Sequence, residues 1–227
     1  MGYLLLEGGA EFGGAMAEPD LQAIRRAGGL DAPTAVLPTA AAPDRNHNRA
    51  GRNSLKWFRS LGASRAEVVP VIDRTSANDP LLVNRLRAAR LVYMLGGFPG
   101  YLADTLRGSQ AWAAVRDAYV SGAVVGGSSA GAMVICEHFY DPEADQVRPG
   151  LNLLANACVM PHHNGFGRNW ASKLIPALPG TTLIGIDERT GILDDVGRWT
   201  VYGAGTVTIY RGSHTQTYGR GEAFSLP

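Results

Sequence analysis

The sequence predicts an α/β fold: a mostly parallel sheet flanked by helices on both faces, followed by a strand-rich C-terminal part. Short apolar runs alternate with amphipathic segments up to about residue 150. Beyond that point strands dominate. Glycine occupies 29 of 227 positions, often as pairs at the ends of apolar runs. A chain of this length supports a core of its own, so we predict a single domain over residues 1–227.

Apolar runs and punctuating residues define the elements of the first half. Strands are predicted at Tyr3–Leu6, Thr34–Leu37, Glu67–Ile72, Leu91–Leu95 and Ala123–Val125. Helices are predicted at Pro19–Ala27, Pro80–Ala89, Tyr101–Leu106 and Gln110–Val120, and in the later part of residues 44–61. Proline at a helix start and glycine at a helix end support these boundaries.

The second half is mainly β-like. Strands are predicted at Ala157–Met160, Thr182–Ile186, Gly191–Leu193, Trp199–Val201 and Thr206–Arg211. One helix, Arg168–Leu174, interrupts them. Because the chain has neither an internal repeat nor a low-complexity linker, one domain remains the simplest prediction.

Composition excludes several classes of function. Lys and Arg number 21 against 20 Asp and Glu, and the absence of like-charge runs disfavours nucleic-acid and membrane partners. Cys136 and Cys158 are too few for a disulfide framework and lack zinc-site spacing, so we expect no metal or cofactor. The first apolar stretch, Tyr3–Leu6, is too short for a signal peptide, and no window approaches the roughly 18 residues of a membrane span. We therefore expect a cytoplasmic protein.

Residues 127–131, Gly-Ser-Ser-Ala-Gly, fit the motif G-x-S-x-G. They follow the predicted strand Ala123–Val125 and precede a helix-compatible run, Ala130 to Glu137, which is the context of a nucleophile elbow. Such a turn presents the Ser129 hydroxyl clear of the sheet, while the N–H of Ala130 stabilises an oxyanion. The competing interpretation is a glycine-rich turn with an idle serine.

A nucleophilic serine needs a base, and five histidines are available. His162 and His163 directly follow a predicted strand, at the kind of strand end where α/β sheets gather their sites. His214, on a predicted hairpin-like turn, is the alternative. His47 lies in a polar stretch, and His138 is expected to point away at the end of the helix after the elbow.

The base in turn needs an orienting carboxylate. Asp187 and Glu188 follow the predicted strand Thr182–Ile186, and Asp194 and Asp195 lie a few residues further on. The residues themselves leave the choice among these acids open, and solvated turn residues are the commoner fate of such side chains.

Taken in order along the chain, several motifs form one specific combination. They are Gly8-Gly9, Leu37 to Ala40, Phe58 to Gly62, Leu95-Gly96-Gly97, the elbow Gly126–Ala132, Met160-Pro161-His162 and Gly185 to Thr190. Over nearly the whole chain this combination resembles the cyanophycinase and dipeptidase E family of serine peptidases.

The resemblance implies a class I glutamine amidotransferase-like fold and a set of site residues. The nucleophile would be Ser129, the general base His162 and its carboxylate partner Glu188, with an oxyanion hole from the N–H groups of Gly97 and Ala130. The chain order Ser, His, Glu differs from the order Ser, acid, His of α/β-hydrolases. The resemblance further implies a homodimer.

Substrate binding also follows from the resemblance. It implies small peptides cleaved next to aspartate, with Arg168 at the position of a family arginine that pairs with a substrate carboxylate. His163 and Phe98 complete the expected substrate-binding set. Phe166 stands where cyanophycinases carry another arginine, which disfavours cyanophycin itself. Pro99 lacks an N–H, but the oxyanion donor that the resemblance implies is the N–H of Gly97, which Pro99 does not affect.

Two alternatives remain open at this point. One is an α/β-hydrolase-type esterase whose triad, in chain order, would be Ser129, Asp187 or Asp194, and His214. The other is a non-catalytic binding protein on the same scaffold, suggested by the departures from the family pattern. A glutamine amidotransferase is disfavoured because those enzymes place cysteine at the elbow.

Overall fold

The structure is a computed structural model that describes residues 1–226 and contains fourteen strands within that range. The strands are β1 (Tyr3–Glu7), β2 (Thr34–Leu37), β3 (Ala66–Val68), β4 (Leu91–Met94), β5 (Val124–Ser128), β6 (His138–Asp141), β7 (Gln146–Pro149), β8 (Ala157–Met160), β9 (Thr182–Ile186), β10 (Thr190–Asp195), β11 (Arg198–Gly203), β12 (Val207–Arg211), β13 (His214–Tyr218) and β14 (Ala223–Ser225).

Seven α-helices lie between these strands in the described range. They are α1 (Ala17–Arg26), α2 (His47–Ser60), α3 (Pro80–Ala88), α4 (Pro99–Leu106), α5 (Gln110–Val120), α6 (Ala130–Ile135) and α7 (Ala171–Ala177). Side-chain caps begin two of them: Asp79 accepts the N–H of Leu81 at 2.8 Å, and Ser109 accepts the N–H of Trp112 at 3.0 Å.

The larger sheet has eight strands in the order β14-β11-β10-β1-β5-β4-β2-β3. The strands β1, β5, β4, β2 and β3 pair in parallel, and β10, β11 and β14 extend the β1 edge in antiparallel fashion. Because parallel strands end on the same side, the loops after β1, β4 and β5 meet at one edge of this sheet.

The smaller sheet has four strands in the order β13-β12-β9-β8. Strands β8 and β9 run parallel, from the pair Ala157 and Thr182 to the pair Met160 and Gly185. The segments that follow β8 and β9 therefore leave from the same edge. Strands β6 and β7 form a separate two-stranded hairpin.

Apolar packing covers both faces of the larger sheet and joins the two sheets. On one face, Ile24 of α1 and Phe58 of α2 pack in a cluster with Tyr93 of β4. On the other face, one continuous cluster contains Leu6 of β1 and Ile184 of β9, together with residues of α3 to α6. The two sheets thus share a core; the assignment of one domain to residues 1–227 stays a prediction.

The predicted fold class is confirmed, with differences in individual elements. Strand β3 ends at Val68 instead of Ile72, because Pro70 removes a backbone donor from the continuing run. The hairpin β6–β7 and the strands β13 and β14 were not predicted. All four strands are short; β7, β13 and β14 are partly exposed, whereas β6 is largely buried but spans only four residues, so they carry little apolar alternation.

Two predicted helices also differ in their boundaries. The helix after the elbow ends at Ile135 and not at Glu137, because Cys136 is extended, and His138 begins β6. The predicted helix Arg168–Leu174 is divided into a 3-10 turn over Phe166–Trp170 and the helix α7. None of the helices in residues 1–226 combines the length and the apolar character needed to cross a membrane.

Candidate active site

Ser129 occupies the sharp turn between β5 and α6. Its backbone angles are φ 50° and ψ −112°, a region that side-chain-bearing residues rarely adopt and that is stabilised only by surrounding contacts. The N–H of Ser129 donates to the carbonyl of Glu7 at 3.0 Å, and its own carbonyl accepts the N–H of Met133 at 3.0 Å. Strand β1 and helix α6 therefore hold the strained residue from both sides.

The glycines two positions on either side of Ser129 are required by close backbone contacts. A Cβ on Gly127 would lie 2.6 Å from the carbonyl carbon of Gly131, and a Cβ on Gly131 would lie 2.2 Å from the carbonyl oxygen of Met94. Neither backbone can move aside without breaking the sheet or the helix. The spacing G-x-S-x-G thus has a steric cause in this structure.

His162 bridges Ser129 and Glu188. Its Nε2 lies 3.0 Å from Oγ of Ser129, and its Nδ1 lies 2.8 Å from Oε1 of Glu188. Because a carboxylate only accepts, the neutral ring assigned here carries its proton on Nδ1, so that Nε2 accepts the serine hydroxyl. The hydrogen-bonded chain from Glu188 through His162 to Ser129 has the arrangement of a catalytic triad.

Backbone hydrogen bonds fix the positions of the base and the acid. His162 has φ 50°, and its N–H donates to the carbonyl of Gly8 at 2.7 Å. The N–H of Glu188 donates to Oδ1 of Asn164 at 3.0 Å. The two segments that follow β8 and β9 are thus tied to each other and to the end of β1.

The imidazole of His162 is packed between neighbouring groups. Gly9 has φ +117°, and a Cβ at this position would lie 2.3 Å from Cε1 of the ring. The ring of Phe166 stacks on the imidazole with centroids 4.7 Å apart and 28° between the planes. These contacts restrict rotation of the imidazole away from the serine.

Two backbone donors lie beside Ser129. Within residues 1–226 neither the N–H of Gly97 nor that of Ala130 donates to a backbone carbonyl. Gly97 has φ +135°, and a Cβ on it would lie 2.3 Å from the carbonyl oxygen of Ala40, so only glycine fits. A Cβ at Gly96 would lie 3.4 Å from that of Ser129, which places this loop against the serine.

His163, expected to bind substrate, is placed differently. Its side chain is buried, with Nε2 2.9 Å from the hydroxyl of Tyr210 and Nδ1 3.7 Å from Oδ1 of Asp187. Burial lowers the pKa of this imidazole below its ordinary value, and the nearby Asp187 raises it to a lesser degree. The expected role of His163 in substrate binding is therefore corrected, because a packed ring has no surface for a ligand.

The other acids weighed as partners of the base have partners of their own. Asp187 accepts both the N–H and the hydroxyl of Thr206 at 2.9 Å. Asp194 accepts a turn N–H at 2.7 Å, and Asp195 pairs with Arg26 at 2.7 Å. Among these carboxylates, Glu188 is the one that contacts His162.

His214 lies away from the serine. It begins β13, an exposed edge strand of the smaller sheet, where it pairs with Arg211 across the hairpin. The ring nitrogen that faces Ser129 belongs to His162 instead. The arrangement of an esterase with His214 as base is therefore not the one that this structure contains.

Arg168 and Phe98 remain available for substrate binding. Arg168 is exposed in the 3-10 turn Phe166–Trp170, and within residues 1–226 its guanidinium forms no ion pair. Phe98 is half-buried directly after Gly97, and its N–H donates to the carbonyl of Ala40 at 2.9 Å.

Behind the elbow lies a buried acidic pair that the sequence did not reveal. Glu7 is fully buried in β1 opposite Ser128, and its carboxylate accepts the hydroxyl of Tyr93. Asp20 of α1 accepts the indole N–H of Trp57 at 2.7 Å. Burial, followed by the charge of Asp20, raises the pKa of Glu7 well above its usual range, and burial raises the pKa of Asp20 to about 7.

The signal for this pair in the sequence is weak. Glu7 ends an apolar run, where an acid is normally read as the first solvated residue, and Asp20 sits near a helix start, where acids are common. Their burial depends on tertiary contacts, namely the hydrogen bonds from Tyr93 to Glu7 and from Trp57 to Asp20. In the described part of the chain, no three His, Cys, Asp or Glu side chains are grouped so as to hold a metal ion.

A family model described as peptidase family S51 matches residues 4–197. The chain belongs to peptidase family S51. One curated relative, a cyanophycinase from Synechococcus elongatus, is 32% identical to this chain over 200 residues. The match covers 82% of this chain and 60% of the relative. A cyanophycinase from Nostoc sp. is 28% identical over 199 residues, covering 81% of this chain and 65% of the relative.

The S51 chain thus spans about three fifths of the length of the curated relatives it matches. Among solved structures, the crystal structure of a peptidase from an acI-B1 Actinobacterium superposes with a TM-score of 0.82 at 32% identity. That match covers 100% of this chain and 97% of the other, so the two folds correspond from end to end.

Proposed function

We propose that this S51 protein is a serine peptidase that hydrolyses small peptides through an acyl-enzyme on Ser129. The observation that carries the proposal is the continuous hydrogen-bonded chain from Glu188 through His162 to Ser129, with distances of 2.8 and 3.0 Å. Family membership and the fold shared with an actinobacterial peptidase support it.

The first step forms the acyl-enzyme. As Oγ of Ser129 attacks the amide carbonyl carbon, Nε2 of His162 takes the hydroxyl proton, and Glu188 stabilises the resulting imidazolium. The N–H groups of Gly97 and Ala130 are free to stabilise the oxyanion. Loss of one such donor costs about 3 kcal/mol of barrier in comparable sites.

The tetrahedral intermediate then breaks down. The imidazolium of His162 gives its proton to the amide nitrogen, the C–N bond breaks, and the amine leaves. The ester on Ser129 is hydrolysed by a water that gives its proton to the same imidazole. Ser129 recovers its proton when the second tetrahedral intermediate collapses.

We further propose cleavage next to aspartate. Arg168 is exposed in the same 3-10 turn as Phe166, whose ring stacks on His162, and its guanidinium forms no ion pair within residues 1–226. A guanidinium binds a carboxylate in bidentate fashion. Phe98 is half-buried directly after Gly97, and we expect its ring to contact the same substrate residue. The exposed Phe166 brings no charge to the site, which disfavours hydrolysis of cyanophycin, the substrate named by the curated relatives.

A fluorophosphonate probe tests the nucleophile directly. We expect the wild-type protein to be labelled at Ser129, and Ser129→Ala and His162→Ala to lose labelling because the first lacks the nucleophile and the second its base. His214→Ala is the matched control and should label at the wild-type rate, since His214 lies on an exposed edge strand. Labelling lost in His214→Ala and kept in His162→Ala would contradict the proposed base.

A dipeptide panel tests the specificity. Arg168→Ala should raise KM for aspartyl dipeptides roughly tenfold while kcat changes less, because the lost charge acts in binding. Arg52→Ala, an exposed arginine of α2, serves as the control. Equal loss of activity on aspartyl and alanyl dipeptides would contradict a role of Arg168 in recognising aspartate.

A further inference from the structure

Phe166 leaves an aromatic surface open beside the catalytic base. Its side chain is 56% exposed, although its ring stacks on the imidazole of His162 at 4.7 Å between centroids. Aromatic side chains are typical of the walls of ligand sites, where they exclude water and contact apolar groups. The exposed face of Phe166 is therefore positioned to touch whatever His162 acts on.

A second aromatic residue anchors this surface. Trp170 lies at the other end of the same 3-10 turn, with its ring centroid 5.7 Å from that of Phe166. On its far side Trp170 packs against Tyr140, with centroids 4.8 Å apart. We refer to Phe166 and Trp170 together as the aromatic wall.

The chemistry of the proposed reaction determines which part of a substrate reaches this wall. His162 must give its proton to the leaving amine, so that nitrogen lies within hydrogen-bond distance, about 3 Å, of Nε2. The Cβ of the leaving residue follows two bonds later, about 2.5 Å from the nitrogen. Its side chain therefore emerges next to the imidazole on which Phe166 is stacked.

The acyl part of the substrate is held elsewhere. Its carbonyl oxygen points toward the free N–H groups of Gly97 and Ala130, on the loops after β4 and β5. The aromatic wall comes instead from the segment after β8. The two halves of a peptide thus meet different elements of the fold.

We propose that the aromatic wall binds the side chain of the leaving residue, so that the enzyme prefers peptides whose released amine belongs to an apolar residue such as leucine, methionine or phenylalanine. This inference rests on the proposed serine peptidase function. It concerns the residue on the leaving side only and is independent of which side chain Arg168 recognises on the acyl side.

A series of dipeptides with aspartate on the acyl side and glycine, leucine, phenylalanine or glutamate on the leaving side tests the inference. Wild-type kcat/KM should be roughly tenfold higher for leucine or phenylalanine than for glycine, the size of effect that apolar pockets give. Phe166→Ala should bring this ratio close to one. The ratio compares two substrates on one protein, so it is unaffected by any general loss of activity that follows from removing the ring stacked on His162. Phe166→Leu should keep most of the preference, because it keeps an apolar surface.

The variants have a matched control and a check on folding. Leu81→Ala removes an apolar side chain that is 75% exposed on α3, and it should leave every ratio unchanged. Since Phe166 is itself more than half exposed, its replacement should lower the thermal unfolding midpoint by little. The same dipeptide series is measured on all three variants.

A second measurement uses the wild-type protein alone. An acyl-enzyme formed from an aspartyl ester is offered leucinamide or glycinamide. The amine nitrogen attacks the ester carbonyl as His162 takes its proton, and the imidazolium then gives that proton to Oγ of Ser129 as the C–O bond breaks. An added amine occupies the leaving-residue position, so leucinamide should capture the acyl group roughly tenfold faster than glycinamide.

Two results would overturn the inference. Equal capture of the two amides is one, and the other is a Phe166→Ala protein that loses activity on all substrates while keeping the wild-type ratio. The second result would mean that Phe166 only positions His162. Failure of the proposed function itself is distinguishable, because Ser129 would then not react with a fluorophosphonate and no dipeptide would be cleaved.

Discussion

The two sheets contribute differently to the candidate site. The larger, mostly parallel sheet supplies Ser129 and the two free N–H donors from the loops after β4 and β5. The smaller sheet supplies His162 after β8 and leads through β9 to Glu188. The position of Ser129 depends on a local turn of five residues, whereas the approach of His162 and Glu188 requires a parallel pairing between strands that are separated in the sequence.

The two contributions meet at the end of β1. Gly8 accepts the N–H of His162 at 2.7 Å and donates to the carbonyl of Thr190 at 3.0 Å. Gly9 accepts the N–H of Arg189 at 3.0 Å. These backbone bonds fix the smaller sheet's base and acid against the elbow. The comparison of the sheets suggests three predictions, ordered from the largest expected effect to the smallest.

Replacement of the acid carried after β9 should have the largest effect. Glu188→Gln offers an amide to Nδ1 of His162, which disfavours the tautomer needed to accept the serine proton, so kcat/KM should fall roughly 10²- to 10⁴-fold. Peptide hydrolysis and fluorophosphonate labelling rates measure the change. Glu143→Gln, at an exposed turn between β6 and β7, is the control. Wild-type activity in Glu188→Gln would mean that the smaller sheet contributes only the base.

A change at the end of β1, where Gly8 and Gly9 contact the segments after β8 and β9, should have an intermediate effect on activity. Gly9→Ala introduces a Cβ against the imidazole of His162 at a backbone angle that favours glycine, so kcat should fall roughly tenfold and stability by about 1–2 kcal/mol. Gly28→Ala is a close control, since Gly28 has φ +113° but its nearest neighbour lies 4.0 Å away. If both variants keep full activity, displacement of the His162 ring does not limit catalysis.

A change confined to the larger sheet and its helix should alter stability rather than chemistry. The pKa of Asp20 is raised from 3.8 to about 7, so its contribution to stability is fully present below about pH 4 and is lost as the pH rises through 7. Asp20→Asn keeps an acceptor for Trp57 and removes this titration. Urea unfolding should therefore show a fall in stability between pH 5 and pH 8 that is smaller in the variant, by on the order of 2 kcal/mol.

The exposed Asp117→Asn protein should keep the wild-type dependence on pH. If Asp20→Asn keeps the wild-type dependence of stability on pH, the buried proton is held by Glu7 alone. Either result sharpens the contrast between the sheets, because the carboxylates of Glu7 and Asp20 bond to Tyr93 and Trp57 and not to His162 or Glu188.

Much of the fold could be predicted because its core strands are largely apolar runs that end at glycine, proline or an acid. Strands β1, β2, β4, β8 and β9 are fully or almost fully buried and lie within a residue or two of their predicted bounds. The hairpin β6–β7 and the last two strands have mixed exposure, so they carry no such pattern. Their positions depend on pairing with partners that the local sequence does not identify.

The sequence by itself determined the elbow, because its cause is local: a strained serine and two glycines that contact each other and β4. Only the tertiary structure decided which histidine and which acid complete the hydrogen-bonded chain. His162 lies 33 residues beyond Ser129 and Glu188 a further 26 along. Their approach depends on the parallel pairing of β8 and β9 and on the backbone bonds at Gly8 and Gly9. The same packing buries His163 while His162 faces Ser129. The local sequence does not distinguish the two, because they are adjacent residues of the same type.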